Sequence, residues 1–234
     1  MKLTVIGCSG SFPSATSPGS CYLVEHNGHR LLLDLGNGAL SGLQRHLDLS
    51  DENSIAGLVI SHHHNDHVAD VEALRVLRQY RPSGRMPNLR VISSRPLGVG
   101  FDVTPHKGTQ VIGPFSISSV EMTHSLVSHA VRVEADGQSL VYSGDTGFNE
   151  RIVHLTQGVD VALLEASWTD SPDRPVDVHM SGREAAHVAR RAGVRHLVLT
   201  HVVPWSNAAL IQSEAFEVFD GRITMAEPDL VIEW

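Results

Sequence analysis

Four potential metal ligands lie within six residues of one another, in the run HHHNDH at 62–67. The preceding run IAGLVIS is continuously apolar, as in a strand that is buried on both faces. Residues two apart on an extended chain point to the same side, so His62 and His64 can bind one ion, while Asp66 and His67 in the following turn can face a second. An exposed, tag-like polar loop is the alternative. We favour metal binding, because buried side chains of these types otherwise need hydrogen-bond partners or solvent.

Other polar residues close later strand-like runs. His124 ends SSVEMTH, Asp145 follows YSG, and His201 ends HLVLTH. Each of them, taken alone, could be a capping or solvated residue. Polar residues that end several strands of a layered fold can meet along one edge, so we expect these three side chains to complete the cluster.

Strand-like and helix-like runs alternate along the chain, which predicts sheets covered by helices. The pairs Asn27-Gly28 and Asp136-Gly137 indicate two hairpins. The apolar spacing in VADVEALRVLRQY predicts one helix over 68–80. Ser181-x-x-Glu184 is a capping box that begins the helix REAAHVARRA. We expect SEAFEVF to form a further helix and RITMAEPDLVIEW to form one terminal strand.

Length and composition favour a single domain over 1–234, because no repeat or linker divides the 234 residues. The net charge of −8 argues against binding of extended nucleic acid. Cys8 and Cys21 indicate no disulfide framework and are expected to be free thiols. No apolar run approaches the roughly 20 residues of a membrane helix, and no signal peptide is recognised, so we expect a cytoplasmic protein without a membrane partner.

The chain resembles the metallo-β-lactamase superfamily, and more narrowly its ribonuclease Z-like and cyclic-nucleotide phosphodiesterase-like members. The similarity covers nearly the whole chain and lies in GCSGSFPS, LLLDLGNGAL, the cluster at 62–67, MTHS, YSGDTG, LLEAS, HMSGREA and LTHVVP. It implies an α/β fold of the αββα sandwich type, with two mixed sheets face to face, helices outside and metals at one edge.

The resemblance also implies a set of metal ligands. It assigns to the first metal His62, His64 and His124, to the second Asp66, His67 and His201, and to both the bridging carboxylate of Asp145. Each ion then receives four protein ligands only if Asp145 is shared. Two divalent cations lower the pKa of a shared water and so supply a bridging hydroxide nucleophile. The nitrogen and oxygen ligands suit zinc best, and manganese or iron stays open.

A leaving group also needs a proton. His179 matches the histidine that a carboxylate of the LLEA strand holds in ribonuclease Z-like enzymes, and that carboxylate is here Glu165. His179 could instead be a polar residue ahead of a helix. We take Asp66, His179 and Glu165 as the catalytic candidates. Asp34 resembles a residue that supports the metal loop, although a turn-forming aspartate is an alternative.

By resemblance to the ribonuclease Z-like branch, Asp66, Asp145 and the pair of His179 and Glu165 imply a binuclear phosphodiesterase that acts on small phosphodiesters or cyclic nucleotides. The alternatives are a carboxylic ester or lactone hydrolase, a tRNA 3′-processing enzyme and a metal-binding scaffold without catalysis. The 55 residues between Asp145 and His201 are expected to hold a strand, a loop and one helix, which leaves no room for a tRNA-gripping arm. The segment 93–114 looks shorter than the helical insertion of many relatives, so the pocket is expected to be open. A homodimer is compatible with the family.

Overall fold

The computed structural model describes residues 1–175 and 177–234 and contains two sheets with helices on their outer faces. The strands are β1 (Lys2–Gly7), β2 (Cys21–His26), β3 (His29–Leu33), β4 (Gly57–Val59), β5 (Leu89–Ile92), β6 (Phe101–Thr104), β7 (Thr109–Ile112), β8 (Phe115–Met122), β9 (Ser128–Ala135), β10 (Gln138–Tyr142), β11 (Val161–Glu165), β12 (His196–Thr200), β13 (Arg222–Met225) and β14 (Val231–Glu233). The helices are α1 (Ala39–Leu43), α2 (Asn65–Val68), α3 (Val71–Tyr80), α4 (Glu150–Leu155), α5 (Gly182–Ala192) and α6 (Ala208–Phe216).

Each sheet has seven strands, in the orders β14-β1-β2-β3-β4-β5-β6 and β13-β12-β11-β10-β9-β8-β7. Both sheets are mixed. In the first, the pairs from β14 to β3 are antiparallel and those from β3 to β6 are parallel. The second is antiparallel from β7 to β10 and parallel from β10 to β13. The parallel halves place several strand ends at the same edge of the molecule.

Three apolar layers hold the sandwich together. The central layer lies between the sheets and includes Leu33 from the first and Val133 and Leu163 from the second. An outer layer packs α4, α5 and α6 on the second sheet, and the other packs α1 and α3 on the first. The arrangement confirms the expected αββα sandwich.

Both predicted hairpins are confirmed. Asn27 and Gly28 have φ values of 48° and 78°, and Asp136 and Gly137 have values of 47° and 79°. Two consecutive left-handed residues match the twist of antiparallel strands, and asparagine, aspartate and glycine tolerate that conformation best. The capping box is also present, because the Ser181 hydroxyl accepts from the Glu184 amide while the Glu184 carboxylate accepts from the Ser181 amide.

The helix predicted over 68–80 is wrong as a single element. The chain forms α2 and α3 with a break between Val68 and Val71. At the break, the Asp70 amide donates to the carbonyl of Leu35, 3.2 Å away, instead of continuing the helix, and the Asp70 carboxylate accepts from the Leu40 amide at 2.8 Å. Tertiary hydrogen bonds therefore outweigh the apolar periodicity here.

Other predicted boundaries also differ. The terminal run divides into β13 and β14, which belong to different sheets. Helix α6 begins at Ala208, earlier than expected, because the Asn207 side chain caps the Leu210 amide. The described residues between Asp145 and His201 form two helices, α4 and α5, where one was expected.

The segment 93–114 contains two strands that the sequence analysis did not identify. Strand β6 is at the edge of the first sheet and β7 is at the edge of the second. The segment therefore connects the two sheets at one side of the sandwich. Among the described residues, no helix has the length and apolar character needed to cross a membrane.

Candidate metal centre

The candidate site lies at one edge of the sandwich, where strands of both sheets end. His124 comes two residues after β8, Asp145 follows β10, Glu165 is the last residue of β11 and His201 follows β12 directly. His62 follows β4 of the first sheet. Because the strands bring their ends to this common edge, side chains that are distant in sequence meet there.

The first group of side chains comprises His62, His64, His124 and Asp145, and each contributes one potential ligand atom within 4.8 Å of the others. Nε2 of His62 lies 3.0 Å from Nδ1 of His64, which is 3.2 Å from Nε2 of His124. Oδ2 of Asp145 lies 3.5 Å from Nε2 of His62. The atoms are close enough together to share one cation.

The second group comprises Asp66, His67, Asp145 and His201, and its ligand atoms satisfy the same 4.8 Å limit. Nε2 of His67 lies 3.2 Å from Nε2 of His201 and 3.2 Å from Oδ1 of Asp145. Nε2 of His201 lies 3.1 Å from Oδ2 of Asp66. Asp145 belongs to both groups and offers a different oxygen to each.

In three of the histidine rings, Nδ1 makes a hydrogen bond on the outer side of the site, and Nε2 faces inward. Nδ1 of His67 donates to Asp34 at 2.7 Å, Nδ1 of His124 donates to the Val178 carbonyl at 2.8 Å, and Nδ1 of His201 lies 3.0 Å from the Ser167 hydroxyl. In the neutral ring that binds a metal, a proton on Nδ1 leaves the lone pair of Nε2 for the cation. Acceptors that face each other repel unless a cation lies between them.

Asp145 supplies an independent test of whether a metal fits. Its Oδ1 atom is buried and has no hydrogen-bond donor among the described residues. A buried carboxylate oxygen without a donor is costly, and a metal ion would satisfy it. Imidazole nitrogens with carboxylate oxygens form a donor set that divalent transition metals accept. The residues present thus fit a divalent metal group.

Electrostatics favour the protonation states that metal binding needs. Burial alone would raise the pKa of Asp145, but the neighbouring charges of His201, His67 and His62 hold it well below its usual range. Burial lowers the pKa of His62, and the charge of His67 lowers it further. The carboxylate is therefore ionised and the imidazole neutral, which are the forms that bind metals.

Asp34 accepts four hydrogen bonds behind the metal loop. Its donors are the Ser61 amide, the Ser61 hydroxyl, the Tyr142 hydroxyl and Nδ1 of His67, each at 2.7 Å. The residue is fully buried and has a φ of 59°, a conformation that aspartate tolerates better than most residues. This network orients His67 and holds the strand end that carries His62.

His179 and Glu165 form a buried pair beside the two groups. Nδ1 of His179 lies 3.1 Å from both carboxylate oxygens of Glu165 and 3.9 Å from Oδ2 of Asp145. The Glu165 carboxylate is itself held by the Thr146 amide at 2.5 Å and by the Ser167 hydroxyl at 2.9 Å. Burial alone lowers the pKa of His179, but the charge and hydrogen bond of Glu165 outweigh it and raise the pKa to about 9.

Two glycines allow the backbone to approach the site. A Cβ atom on Gly36 would lie 2.0 Å from the carbonyl oxygen of Asp66, and one on Gly10 would lie 2.5 Å from the carbonyl oxygen of His201. His201 itself has a φ of 58°, which is uncommon for a residue with a side chain. The loops that bear Gly10 and Gly36 therefore hold the ligands from behind by direct backbone contact.

Several residues that support the site were not predicted from the sequence. Ser61 and Ser167 were detectable, because each lies within two residues of His62 or Glu165. Tyr142 also lies in a strand end that was recognised. His106 gave no local signal. Its ring stacks on His129 with centroids 4.0 Å apart and donates to the Ile60 carbonyl at 2.9 Å, contacts that only the sheet topology creates.

Comparison with known proteins places the chain in a family. The model of the β-lactamase superfamily domain matches residues 29–202. The uncharacterized protein Rv1339 of Mycobacterium tuberculosis is 39% identical over 246 residues, which cover 95% of this chain and 88% of that protein. A ribonuclease Z of Haloarcula marismortui is 24% identical over 297 residues, which cover 97% of this chain and 94% of that protein.

The fold comparison agrees with the sequence comparison. The probable metallo-hydrolase YhfI of Bacillus subtilis is 27% identical over 247 residues that cover all of both chains. The crystal structure of YhfI, a metallo-β-lactamase fold protein, superposes with a TM-score of 0.90 at 25% identity and covers 99% of each chain. Family model, sequence relatives and fold agree, and the chain belongs to the β-lactamase superfamily.

Proposed function

We propose that this protein is a binuclear metal-dependent phosphodiesterase that acts on small phosphodiesters, including cyclic nucleotides, through a single domain over 1–234. The observation that carries the proposal is the contact between His179 and Glu165. Nδ1 of His179 lies 3.1 Å from Oε1 of Glu165 and 3.9 Å from Oδ2 of Asp145, the shared carboxylate. A buried histidine–carboxylate pair beside a metal site provides the general acid that a poor alkoxide leaving group requires.

The metal ligands are proposed as two sets of four that share Asp145. One set is His62, His64, His124 and Asp145, and the other is Asp66, His67, His201 and Asp145. Four nitrogen and oxygen ligands for each ion suit zinc. When bound, such ions act as Lewis acids that activate water and neutralise charge on a phosphoryl oxygen.

The protein's own residues supply the remaining steps. Glu165 engages Nδ1 of His179, which leaves Nε2 to deliver a proton to the departing oxygen. The carboxylate also stabilises the imidazolium form before the transfer. Oδ2 of Asp66 lies 3.1 Å from Nε2 of His201, and we assign to Asp66 the positioning of the second ion.

Three further observations support a small phosphodiester as substrate. Sequence relatives include proteins named ribonuclease Z and probable metallo-hydrolase. The net charge of −8 disfavours extended nucleic acid, whose binding depends on clustered lysine and arginine. The stretch between Asp145 and His201 is occupied, in its described part, by α4, β11, α5 and their connecting loops, without an arm like that expected for tRNA binding.

The experiment combines metal analysis with a substrate panel. Protein purified with and without added zinc or manganese is analysed for metal content and assayed on bis(p-nitrophenyl) phosphate, cyclic nucleotides and a set of lactones. We expect about two metal ions per chain and turnover of the diesters. Asp66→Ala should abolish most of this turnover and His179→Ala most of the turnover of cyclic nucleotides, whereas His154→Ala, which removes an exposed histidine of α4, should leave both unchanged.

Other outcomes would decide for a different function. Efficient lactone turnover with no diester cleavage would contradict the phosphodiesterase proposal and identify the protein as an ester or lactone hydrolase with the same site. Turnover unaffected by either Asp66→Ala or His179→Ala would contradict a catalytic role for this centre and favour the scaffold alternative.

A further inference from the structure

Two aromatic side chains stack on each other at the protein surface. The ring centroids of Phe12 and Trp205 are 5.3 Å apart, with an angle of 37° between the rings. Both remain accessible, since Phe12 is 42% exposed and Trp205 is 66% exposed. Apolar surface that stays exposed is unfavourable in water, so two adjacent exposed aromatic side chains indicate a binding surface.

The loop that carries Phe12 and the loop that carries Trp205 are both connected by hydrogen bonds to residues at or next to His201. On the Phe12 side, the Ser9 hydroxyl donates to the Phe12 carbonyl at 2.7 Å, and the Gly10 amide donates to the carbonyl of Val202 at 3.1 Å, next to His201. These bonds fix the position of the Phe12 loop relative to a proposed metal ligand.

On the other side, Trp205 follows His201 by four residues, which span at most about 14 Å of extended chain. The Ser206 hydroxyl donates to the Ser167 carbonyl at 2.9 Å, and the Ser167 hydroxyl lies 3.0 Å from Nδ1 of His201. Both loops that carry the aromatic pair are thus anchored beside His201.

We propose that Phe12 and Trp205 form the binding platform for the nucleobase of a nucleotide phosphodiester whose phosphate lies at the metal centre. The inference rests on the phosphodiesterase function proposed above. Bases stack on aromatic side chains with little dependence on their hydrogen-bonding edges, so the platform selects for a planar heterocycle and not for one particular base.

The size of the platform favours a base over a protein partner. Two aromatic side chains cover at most about 500 Å². A stable protein interface buries roughly 800 Å² on each partner. The residues that flank the rings, Ser11, Pro204 and Ser206, are short and add little apolar area. A second copy of the chain on this surface is nevertheless an outcome that the experiment must detect.

The kinetic test compares two diesters that differ in the presence of a base. A cyclic nucleotide and glycerol cyclic phosphate are assayed with the zinc-loaded wild type, Phe12→Ala, Trp205→Ala and Trp205→Phe. We expect both alanine variants to raise KM for the cyclic nucleotide about tenfold, with kcat changed less than twofold. KM for glycerol cyclic phosphate should not change, and Trp205→Phe should recover most of the affinity.

The matched control is Tyr80→Ala, which removes an aromatic side chain that is 68% exposed at the far end of α3 from the metal loop. It should change KM for neither diester. Size-exclusion chromatography of every variant reports on the oligomeric state. A change of oligomeric state in the Phe12 and Trp205 variants would overturn the proposal and assign the pair to an interface between copies.

A binding test does not depend on turnover. Adenosine 5′-monophosphate and ribose 5-phosphate are titrated while tryptophan fluorescence is recorded. We expect quenching by the nucleotide alone, and much weaker quenching in Trp205→Phe. If the wild type cleaves no diester, the proposed function fails, and this titration still decides the inference. Equal quenching by both phosphates, or equal KM changes for both diesters, would overturn the platform.

Discussion

Nδ1 of His67 lies 2.7 Å from Oδ2 of Asp34, and both side chains are fully buried. In the neutral ring that binds a metal, this hydrogen bond leaves the lone pair on Nε2 of His67, the atom that faces Asp145 and His201. Asp34 also accepts from the Tyr142 hydroxyl of the second sheet. One carboxylate therefore orients a proposed metal ligand and links the two sheets behind it.

We predict that Asp34→Asn weakens metal binding by about 10- to 100-fold, the range measured when a residue that holds a metal ligand is replaced. In the wild type, four donors point at the two carboxylate oxygens of Asp34. In the variant, the NH₂ group of asparagine replaces one of these oxygens and cannot accept from the donors that face it. Metal affinity is measured by competition with a chromophoric chelator. Asp220→Asn, at an exposed position, is the control, and equal affinities for both variants would contradict the orienting role.

Gly36 provides a second test of how the metal loop is held. A Cβ atom there would lie 2.0 Å from the Asp66 carbonyl oxygen and 2.6 Å from its carbonyl carbon, and backbone atoms cannot move aside as a flexible side chain would. We predict that Gly36→Ala lowers the free energy of unfolding by about 1–3 kcal/mol and reduces bound metal. Urea unfolding and metal analysis measure the two effects.

Gly98→Ala is the matched control for this substitution, because its Cβ would meet its nearest neighbour at an ordinary 3.7 Å. It should unfold within about 0.5 kcal/mol of the wild type, as surface substitutions usually do. A Gly36→Ala variant that keeps its full stability and metal content would show that the loop has room to shift.

Local sequence patterns predicted the elements that form through contacts between residues close together in the chain. Asn27-Gly28 and Asp136-Gly137 predict hairpins, because their left-handed conformations are properties of those residues alone. The capping box at Ser181 is also a contact over three residues. The ligand candidates were detectable for a related reason, since they either lie in the polar run 62–67 or close an apolar run, as His124, Asp145 and His201 do.

Other features depend on contacts between distant residues and were not predictable in this way. The break before α3 results from hydrogen bonds of Asp70 to Leu35 and Leu40, which no helical periodicity encodes. Strand β7 is short and partly exposed, and its pairing with β8 defines it. The Phe12–Trp205 stack joins residues that are 193 positions apart, so only the folded chain reveals it.

The pair of His179 and Glu165 predicts a dependence on the leaving group. A proton donor matters most when the departing alkoxide is basic and least for p-nitrophenolate, which leaves without protonation. We predict that His179→Ala and Glu165→Gln lower kcat about 10²- to 10⁴-fold for an alkyl-leaving diester, and far less for bis(p-nitrophenyl) phosphate.

Metal content is measured in the same samples, because Glu165 and His179 lie close to His201. A loss that is equal for both leaving groups, with metal retained, would make the pair a structural support and not a proton donor. His154→Ala again serves as the control and should follow the wild type on both substrates.

His196 predicts a pH dependence of stability that is independent of the metal centre. The side chain lies at the start of β12, is 6% exposed, and has Nε2 2.8 Å from the Thr224 hydroxyl. Burial lowers the pKa of His196 to about 4, and the charge of Arg222 contributes in the same direction. In the unfolded chain its pKa is about 6.5. Between these values the unfolded state binds more protons, so stability decreases as the pH falls.

The expected size follows from the same two pKa values. Lowering the pH from 7.5 to 5 should cost about 2 kcal/mol of unfolding free energy at this residue. Other histidines titrate in the same range, so the measurement is the difference between wild type and His196→Gln, followed by urea unfolding at both pH values. The variant is expected to lose about 2 kcal/mol less than the wild type. If the two proteins lose the same amount, His196 becomes protonated within the folded state, and its burial does not hold it neutral.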